Sequence, residues 1–372
     1  MFRFSFAAAA AALLAAQAFA QTTSECNPTW GNVTCPDNAA LGTTFDYPFN
    51  DTMAEMDPRF FNVTAGASLI KFSQDGAEFT MVKHGDSVRV QSDFYIFYGR
   101  VEAIMQAAPG TGVISSVNLL SDDLDEIDWE VMGQNTTNVF NNWYGKGNRT
   151  QNHGEEPVLA DSQTGFHNYT IIWTEQELEF WLDGQQVRTV PAGEPGNYPQ
   201  TPCYINLSLW AGGDPDNEPG VIAWAGGETD YDAGPYTMKI KSLKVVDGHT
   251  NSSSYHYSDT SGSHASIQVN EGESEVYKAL NKKSTKQKAE EKWTGLSQTA
   301  KIAIAASVCG VLLLVCVIYT FVCITQRKKG RLEREAHDKE WAAHESELAA
   351  YRLKMARGDF AVSHLGHGEA KF

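Results

Sequence analysis

Short apolar runs separated by turn-forming residues fill the chain from about residue 40 to residue 247. The run at 237–246, TMKIKSLKVV, alternates apolar and polar side chains, as a strand does when one of its faces is buried. The segment FWLDGQQVR places Asp183-Gly184 between two strand-like runs, which predicts a hairpin turn. Because no long helical periodicity interrupts these runs, the pattern predicts an all-β domain, a β-sandwich of jelly-roll type.

Two longer apolar segments lie outside this region. Residues 1–20 combine the basic Arg3, an Ala/Leu-rich centre and an Ala18-Phe19-Ala20 ending, which predicts a cleaved signal peptide. The 24 residues from Ile302 to Thr325 carry no charge, and a helix of that length spans roughly 36 Å at about 1.5 Å per residue. A buried core helix is the alternative, but the basic cluster at 327–331 directly follows the run, which favours a transmembrane helix at 301–325.

These segments divide the chain into parts. We expect a globular domain, large enough for an enzyme, at 21–248 and a cytoplasmic tail at 326–372. Between the domain and the membrane helix, residues 249–300 are rich in Ser, Thr and charged residues and are expected to form a poorly ordered stalk. The Ala/Glu/Arg/Lys-rich part of the tail is typical of a helix, either a solvated charged one or one that binds a partner. The arrangement predicts a single-pass plasma-membrane protein whose large domain is extracellular.

Charge and cysteine usage narrow the possible functions. The formal net charge of −17 repels phosphate backbones, so nucleic acid is not expected as a partner. Cys26 and Cys35 are close enough in sequence to close a small disulfide loop outside the cell, whereas Cys203 is expected to be a buried free thiol. No cysteine pair has metal-site spacing, and no metal is predicted. Sequons predict glycans at seven asparagines: Asn32, Asn50, Asn62, Asn135, Asn148, Asn168 and Asn251.

The segment DEIDWE at 125–130 concentrates acidic residues in one strand-like run. Side chains alternate along a strand, so Glu126, Asp128 and Glu130 share one face, while Asp125, Ile127 and Trp129 point to the other. We name the first set the carboxylate triplet. Three aligned carboxylates repel one another and cost stability, which indicates that the charge serves a function.

The spacing of the triplet fits glycoside chemistry. Residues four apart on a strand are about 13 Å apart at Cα, and inward lean brings two glutamate carboxyls to roughly 5 Å, the separation of a retaining glycosidase. Crowding by Asp128 would help a neighbour hold a proton, as an acid catalyst requires. A solvated acidic strand and a calcium site remain alternatives by spacing alone. The many aromatic residues favour sugar, and Trp210, just before the polar turn AGGDPDNEPG, is expected at the rim of a cleft.

The triplet and its surroundings resemble a known family. The segment GTGVISSVNLLSDDLDEIDWEVMG at 110–133 contains the E-I-D-x-E signature of glycoside hydrolase family 16 and is similar to fungal Crh-type cell-wall transglycosylases. Further similar segments run from residue 26 to residue 247, and they include WYGKG, FHNYTIIWT, FWLDGQQVRT, YPQTPCYINLSLWAGGDP and PGVIAWAGGETDY. The resemblance implies a concanavalin-like, curved β-jelly roll with the substrate lying across its concave sheet.

The resemblance also implies roles for individual residues. It assigns Glu126 as the nucleophile, Glu130 as the general acid/base and Asp128 as the assisting carboxylate of a double-displacement reaction. It implies that substrate is contacted by Trp210, Asn206, Tyr98, Lys146, Trp173 and Asp214. Asn206 also lies in a sequon, which we expect to be unoccupied because a glycan there would obstruct the cleft.

The implied activity transfers chitin, the donor, to β-glucan, the acceptor, in the cell wall and septum, with no cofactor. Two alternatives remain open. One is a chitin or β-glucan hydrolase of the same fold, and the other is a non-catalytic, calcium-dependent lectin, because lectin sandwiches share this architecture.

Overall fold

The structure is a computed structural model that describes residues 24–150, 152–193, 197–282 and 292–358. The predicted signal peptide at 1–20 lies outside the described residues. The chain divides into two compact units, one ending at Lys282 and the other beginning at Lys283.

The first unit is built on two antiparallel sheets. The front sheet has six strands, in the spatial order β10 (Phe140–Tyr144), β9 (Glu126–Met132), β8 (Val113–Ser121), β14 (Cys203–Ala211), β6 (Val88–Ile96) and β3 (Phe61–Ala65). The back sheet contains β13 (Gln185–Pro191), β12 (Glu177–Leu182), β11 (His167–Trp173), β7 (Gly99–Gln106), β15 (Tyr236–Asp247), β5 (Gly76–Met81) and β4 (Ile70–Ser73), with β2 (Thr44–Pro48) also paired to β15. The prediction of an all-β sandwich is confirmed.

Local patterns in the sequence account for much of this pairing. The predicted hairpin is present: Leu182 pairs with Gln185, and the intervening Asp183 and Gly184 both have positive φ, 49° and 78°. Asp and Gly adopt this backbone more readily than other residues, so the turn residues fix the register of β12 and β13. The alternating run at 237–246 forms β15, which pairs with β7 along one edge and with β5 and β2 along the other.

The core lies between the two sheets, and Trp129 of β9 crosses it. Its ring is fully buried, packs edge-on against Phe180 with ring centroids 5.3 Å apart, and donates from Nε1 to the carbonyl oxygen of Thr170 at 3.2 Å. Phe180 and Thr170 belong to the back sheet, so one side chain joins both layers. Aromatic pairs of this kind add about 0.5–1.5 kcal/mol beyond their buried area.

The region predicted as a stalk is partly folded. Strands β1 (Asn38–Ala39), β16 (Ser252–Tyr257) and β17 (Ile267–Glu271) form a third sheet, followed by helix α2 (Glu275–Leu280). Tyr255 of β16 is fully buried and donates to Asp247 Oδ2 at 2.6 Å. The predicted boundary at residue 248 is therefore wrong, and the domain extends to 282. The Ser-rich composition hid a strand because only its few apolar side chains face the core.

The cysteines of this unit are placed as predicted. Cys26 and Cys35 form a disulfide, and Cys203 is a buried free thiol. The seven asparagines predicted to carry glycans all retain solvent exposure, whereas Asn206 has none.

The second unit contains one long helix, which we label α3 (Gln298–Arg357; a shorter helix, α1, is described below). The Ser297 side chain caps its first turn by accepting from the Ala300 N–H, and Gly358 ends it with φ of 72°. Among the described residues it is the one helix long and apolar enough to cross a membrane. The tail is helical through Arg357, as its composition indicated.

Candidate active site

The carboxylate triplet occupies one face of β9, the second strand of the front sheet. On the β10 side, Glu126, Asp128 and Glu130 pair with Tyr144, Asn142 and Phe140; on the β8 side they pair with Leu120, Asn118 and Ser116. The triplet is therefore flanked by two aromatic residues and an asparagine on β10, and by a leucine, an asparagine and a serine on β8. The opposite face of β9 carries Ile127 and Trp129, both fully buried in the core.

Glu126 is held by a cation and by its neighbour in the triplet. The Arg149 guanidinium lies 2.8 Å from Glu126 Oε2, and Asp128 hydrogen-bonds the same carboxylate. Burial raises the pKa of Glu126, while Arg149 and the Asp128 hydrogen bond act in the opposite direction. Glu126 thus has partners that favour its ionised form.

Asp128 lies at the end of a chain of polar side chains. Asn118 Nδ2 donates to Asp128 Oδ1 at 2.6 Å, Asn206 Nδ2 lies 3.5 Å from Asn118 Oδ1, and Arg89 Nε donates to Asn206 Oδ1 at 3.1 Å. Burial raises the pKa of Asp128 well above its usual value, and repulsion from Glu126 and Glu130 adds to the rise. A protonated Asp128 can donate to Glu126, which explains how two buried carboxyl groups lie in contact.

Glu130 differs from Glu126, whose carboxylate the Arg149 guanidinium contacts at 2.8 Å. Burial raises its pKa to about 8, the charge of Glu126 adds to the rise, and Arg149 opposes it. Glu130 therefore holds a proton near neutral pH, while Glu126 is the member of the triplet best placed to be ionised. A cation-paired carboxyl group and a protonated one on the same face are the arrangement required for paired nucleophile and acid chemistry.

Aromatic side chains line the Glu130 end of the face. Trp210 of β14 stacks against Trp224, with ring centroids 6.2 Å apart, and Trp224 ends the short helix α1 (Pro219–Trp224). Phe140, the cross-strand partner of Glu130, contacts the Trp224 ring edge-on at 5.8 Å. Flat aromatic faces beside carboxyl groups suit the C–H faces of sugar rings. The substrate role of Trp210 stays a prediction.

Three of the predicted substrate contacts are wrong because the residues lie away from this face. Trp173 is fully buried and donates from Nε1 to the Pro199 carbonyl oxygen. Tyr98 packs edge-on against Trp173 at 4.7 Å, and its hydroxyl contacts His264 Nδ1 at 3.0 Å. Lys146 is paired with Asp123 and Asp125 at 2.9 and 2.8 Å, on the opposite side of the strand from the triplet.

The two remaining candidates have other partners. Asn206 lies on the triplet face but is fully buried, so the predicted direct sugar contact is wrong, and its side chain instead supports Asn118. Asp214 accepts from the Tyr231 hydroxyl at 2.6 Å and contacts His84 Nε2 at 3.1 Å in the loop after β14. Its substrate contact stays a prediction. His84, Asp214 and Asp216 form the one group of described residues arranged like metal ligands. The triplet is not part of this group.

Sequence reasoning missed two components of the site. Asn118 could have been found, because Ser116 and Asn118 interrupt an apolar strand at a spacing of two and so share a face. Arg149 could not be found in this way, because it lies in the irregular loop after β10, where no periodicity relates it to Glu126.

Comparison with known proteins agrees with this geometry. Residues 58–226 match the family model described as "Glycosyl hydrolases family 16". The chain is 42% identical over 331 residues to Crh-like protein 2 of Botryotinia fuckeliana (strain B05.10), covering 87% of this chain and 72% of that protein. It is 42% identical over 320 residues to Crh-like protein 3 of Aspergillus fumigatus, covering 84% of this chain and 85% of that protein.

A solved structure extends the likeness to three dimensions. The structure titled "Crh5 transglycosylase in complex with NAG" is 45% identical, with a TM-score of 0.62, and the match covers 66% of this chain and all of that one. Sequence identity at this level over a complete solved domain indicates common descent of fold and site. The chain belongs to glycosyl hydrolases family 16.

Proposed function

We propose that this protein is a membrane-anchored retaining transglycosylase that cleaves chitin and transfers the cleaved chain to β-glucan in the cell wall. The observation that carries the proposal is the pairing, on one face of β9, of a cation-held Glu126 with a Glu130 whose pKa is raised to about 8. The transglycosylase structure with NAG, the repeating unit of chitin, supports the choice of donor.

In the first half of the reaction, an oxygen of the Glu126 carboxylate attacks the anomeric carbon of the donor sugar. The glycosidic C–O bond breaks, and Glu130 gives its proton to the departing oxygen. Asp128, protonated and hydrogen-bonded to Glu126, keeps the attacking carboxylate oriented without adding a second negative charge beside it. The products are a glycosyl ester on Glu126 and a released sugar hydroxyl.

In the second half, a hydroxyl of the acceptor glucan gives its proton to the Glu130 carboxylate. Its oxygen attacks the same anomeric carbon, the ester bond breaks, and Glu126 leaves as a carboxylate. Two inversions restore the original anomeric configuration. Water in place of the glucan hydroxyl gives hydrolysis by the same route, so an acceptor held on aromatic faces such as Trp210 and Trp224 favours transfer by proximity.

Location follows from the second unit. The apolar part of α3 is a candidate membrane span, and we propose that it holds the catalytic domain at the outer face of the plasma membrane, against the wall. The predicted stalk is then confined to residues between 282 and the span.

The test is transfer of a chitin oligosaccharide onto a fluorescent β-glucan acceptor by the full-length chain in detergent, with products analysed by mass spectrometry. Glu126→Gln and Glu130→Gln should each reduce transfer at least about a thousandfold. The matched control is Glu177→Gln, an exposed glutamate at the start of β12, which should transfer at the wild-type rate.

Transfer that persists in either triplet variant would refute the assigned roles. Release of shorter chitin chains without hybrid products would identify a hydrolase. Binding of sugar that is lost with a chelator, without cleavage, would identify a lectin.

A further inference from the structure

Arg149 makes two contacts that converge on Glu126. Its guanidinium lies 2.8 Å from Glu126 Oε2, and it also covers the ring of Tyr144, 4.7 Å from the ring centroid. Tyr144 is the cross-strand partner of Glu126 on β10. The ring therefore fixes the plane of the guanidinium beside the carboxylate, where cation–π attraction and the ion pair act together.

The loop that carries Arg149 is fastened to the residues directly before Glu126. Lys146 pairs with Asp123 and Asp125 through Nζ, and its backbone N–H donates to Asp125 Oδ1 at 2.9 Å. The Gly147 N–H donates to the Leu124 carbonyl oxygen at 2.7 Å. The start of the loop cannot move relative to β9 without breaking these bonds. They therefore fix the position from which the Arg149 side chain reaches Glu126.

We propose that Arg149 is a positioning residue for the nucleophile, whose guanidinium holds one oxygen of Glu126 so that the carboxylate stays ionised and turned toward the anomeric carbon. The inference rests on the proposed function for its catalytic meaning. It gives the loop after β10 a role in the reaction. Neither the alternation of side chains along β9 nor the E-I-D-x-E signature predicts that role.

The electrostatic effect of Arg149 reaches the whole triplet. Arg149 opposes the burial-driven rise in the pKa of Glu126, of Asp128 and of Glu130. An opposite charge at this distance lowers a carboxyl pKa by about 1–3. The charged and titratable groups that face Glu126 from the surrounding elements are Asp128 and Glu130 on β9, Tyr144 on β10, Arg149 in the loop, Arg89 on β6 and Tyr204 on β14.

The ion pair acts unequally on the two halves of the reaction. It stabilises the free Glu126 carboxylate, which is the attacking group in the first half and the leaving group in the second. A stabilised carboxylate leaves more readily, so Arg149 promotes transfer from the glycosyl ester to the acceptor hydroxyl.

The test compares Arg149→Gln and Arg149→Lys with the wild-type full-length chain in detergent, using the pH profile of kcat/KM for transfer. In Arg149→Gln both limbs of the profile should move to higher pH by on the order of one pH unit, because all three carboxyl groups lose the same cation. Arg149→Lys keeps the charge, so its pH profile should lie close to that of the wild type. Arg59→Gln is the matched control, since Arg59 also pairs with a carboxylate, Asp57, and covers a ring, Phe60, on an exposed surface.

A second readout does not depend on turnover. In the full-length chain labelled with ¹³C at the glutamate carboxyl, the Glu126 resonance, assigned by its loss in Glu126→Gln, should titrate at higher pH in Arg149→Gln. Unmoved limbs and an unmoved titration would overturn the inference, even if the variant is slower at every pH. A moved titration in a chain that transfers no sugar would support the inference and refute the proposed function instead.

Discussion

Strand β9 and the residues just before it present one charged cluster to each side, and the two clusters are built differently. In the back cluster, Asp123 and Asp125 pair with Lys146. In the front cluster, Arg149 pairs with Glu126, and the charge of Arg89 also acts on that carboxylate. Both clusters combine buried acids with cations, so composition alone does not distinguish them.

Their hydrogen bonds do distinguish them. Asp125 accepts from the Lys146 ammonium and from the backbone N–H groups of Lys146, Gln200 and Thr201, so its carboxylate is fully supplied with donors. In the front cluster Asn118 is the neutral donor to Asp128. Burial raises the pKa of Asp125 as it raises those of the triplet, so the two clusters differ in their hydrogen-bond donors. A saturated cluster fixes structure, whereas an undersupplied one keeps protons that it can exchange.

The largest effect is expected when the cation of the back cluster is removed, which tests whether that cluster stabilises the fold. Lys146→Met leaves two buried carboxylates without their counter-ion and should cost roughly 3–5 kcal/mol of unfolding free energy. Urea unfolding of the full-length chain in detergent, followed by tryptophan fluorescence, measures the loss. The exposed pair of Arg59 and Asp57 is the control, and Arg59→Met should cost about 0–1 kcal/mol. Equal losses in the two variants would contradict a structural role for Lys146.

A smaller effect is expected where the C-terminal part of the domain covers the back cluster. Gly262 has φ of 59°, and a side chain there would clash with the Asp123 carboxylate. Gly262→Ala should therefore cost about 1–3 kcal/mol, with the pH limbs of activity unchanged. Gly31→Ala, where a Cβ meets nothing within 4 Å, is the control. A Gly262 variant of wild-type stability would show that 249–282 does not seal this cluster.

An effect of the opposite sign is expected at Glu130. Glu130 has a pKa of about 8 in the folded chain against an ordinary value of 4.5, so folding takes up a proton between these values. Stability contributed by protonated Glu130 is lost as pH rises through about 8. Glu130→Gln should remove this loss, so its stability relative to wild type should be roughly 3–5 kcal/mol greater at pH 8 than at pH 5. Parallel stability curves for the two proteins from pH 5 to pH 9 would contradict the raised pKa.

Regular strands were predictable from the sequence, and contacts between distant segments were not. The alternation at 237–246 and the Asp183-Gly184 turn predicted β15 and the β12–β13 hairpin, because strand period and turn backbone are local properties. The order of the strands in each sheet depends on tertiary packing, which no short window contains.

The same limit applies to the site. Parity along one strand was enough to place Glu126, Asp128 and Glu130 together. Resemblance named Lys146 and Trp173 as contacts, but a matched motif does not say which side of a sheet a residue faces, and both lie away from the triplet. Arg149 reaches Glu126 through a loop, where position follows from anchoring bonds rather than from periodicity.

The turn Gly145-Lys146-Gly147 has an evolutionary consequence. A Cβ at Gly145 would collide with the Asn197 backbone, and Gly147 has φ of 65°, so both positions tolerate little besides glycine. Neither Asn148 nor Arg149, the two residues that follow Gly147, has a positive φ. A codon change at position 149 alone is therefore expected to alter the acidity at which the enzyme works, while Gly145 and Gly147 keep the turn in place.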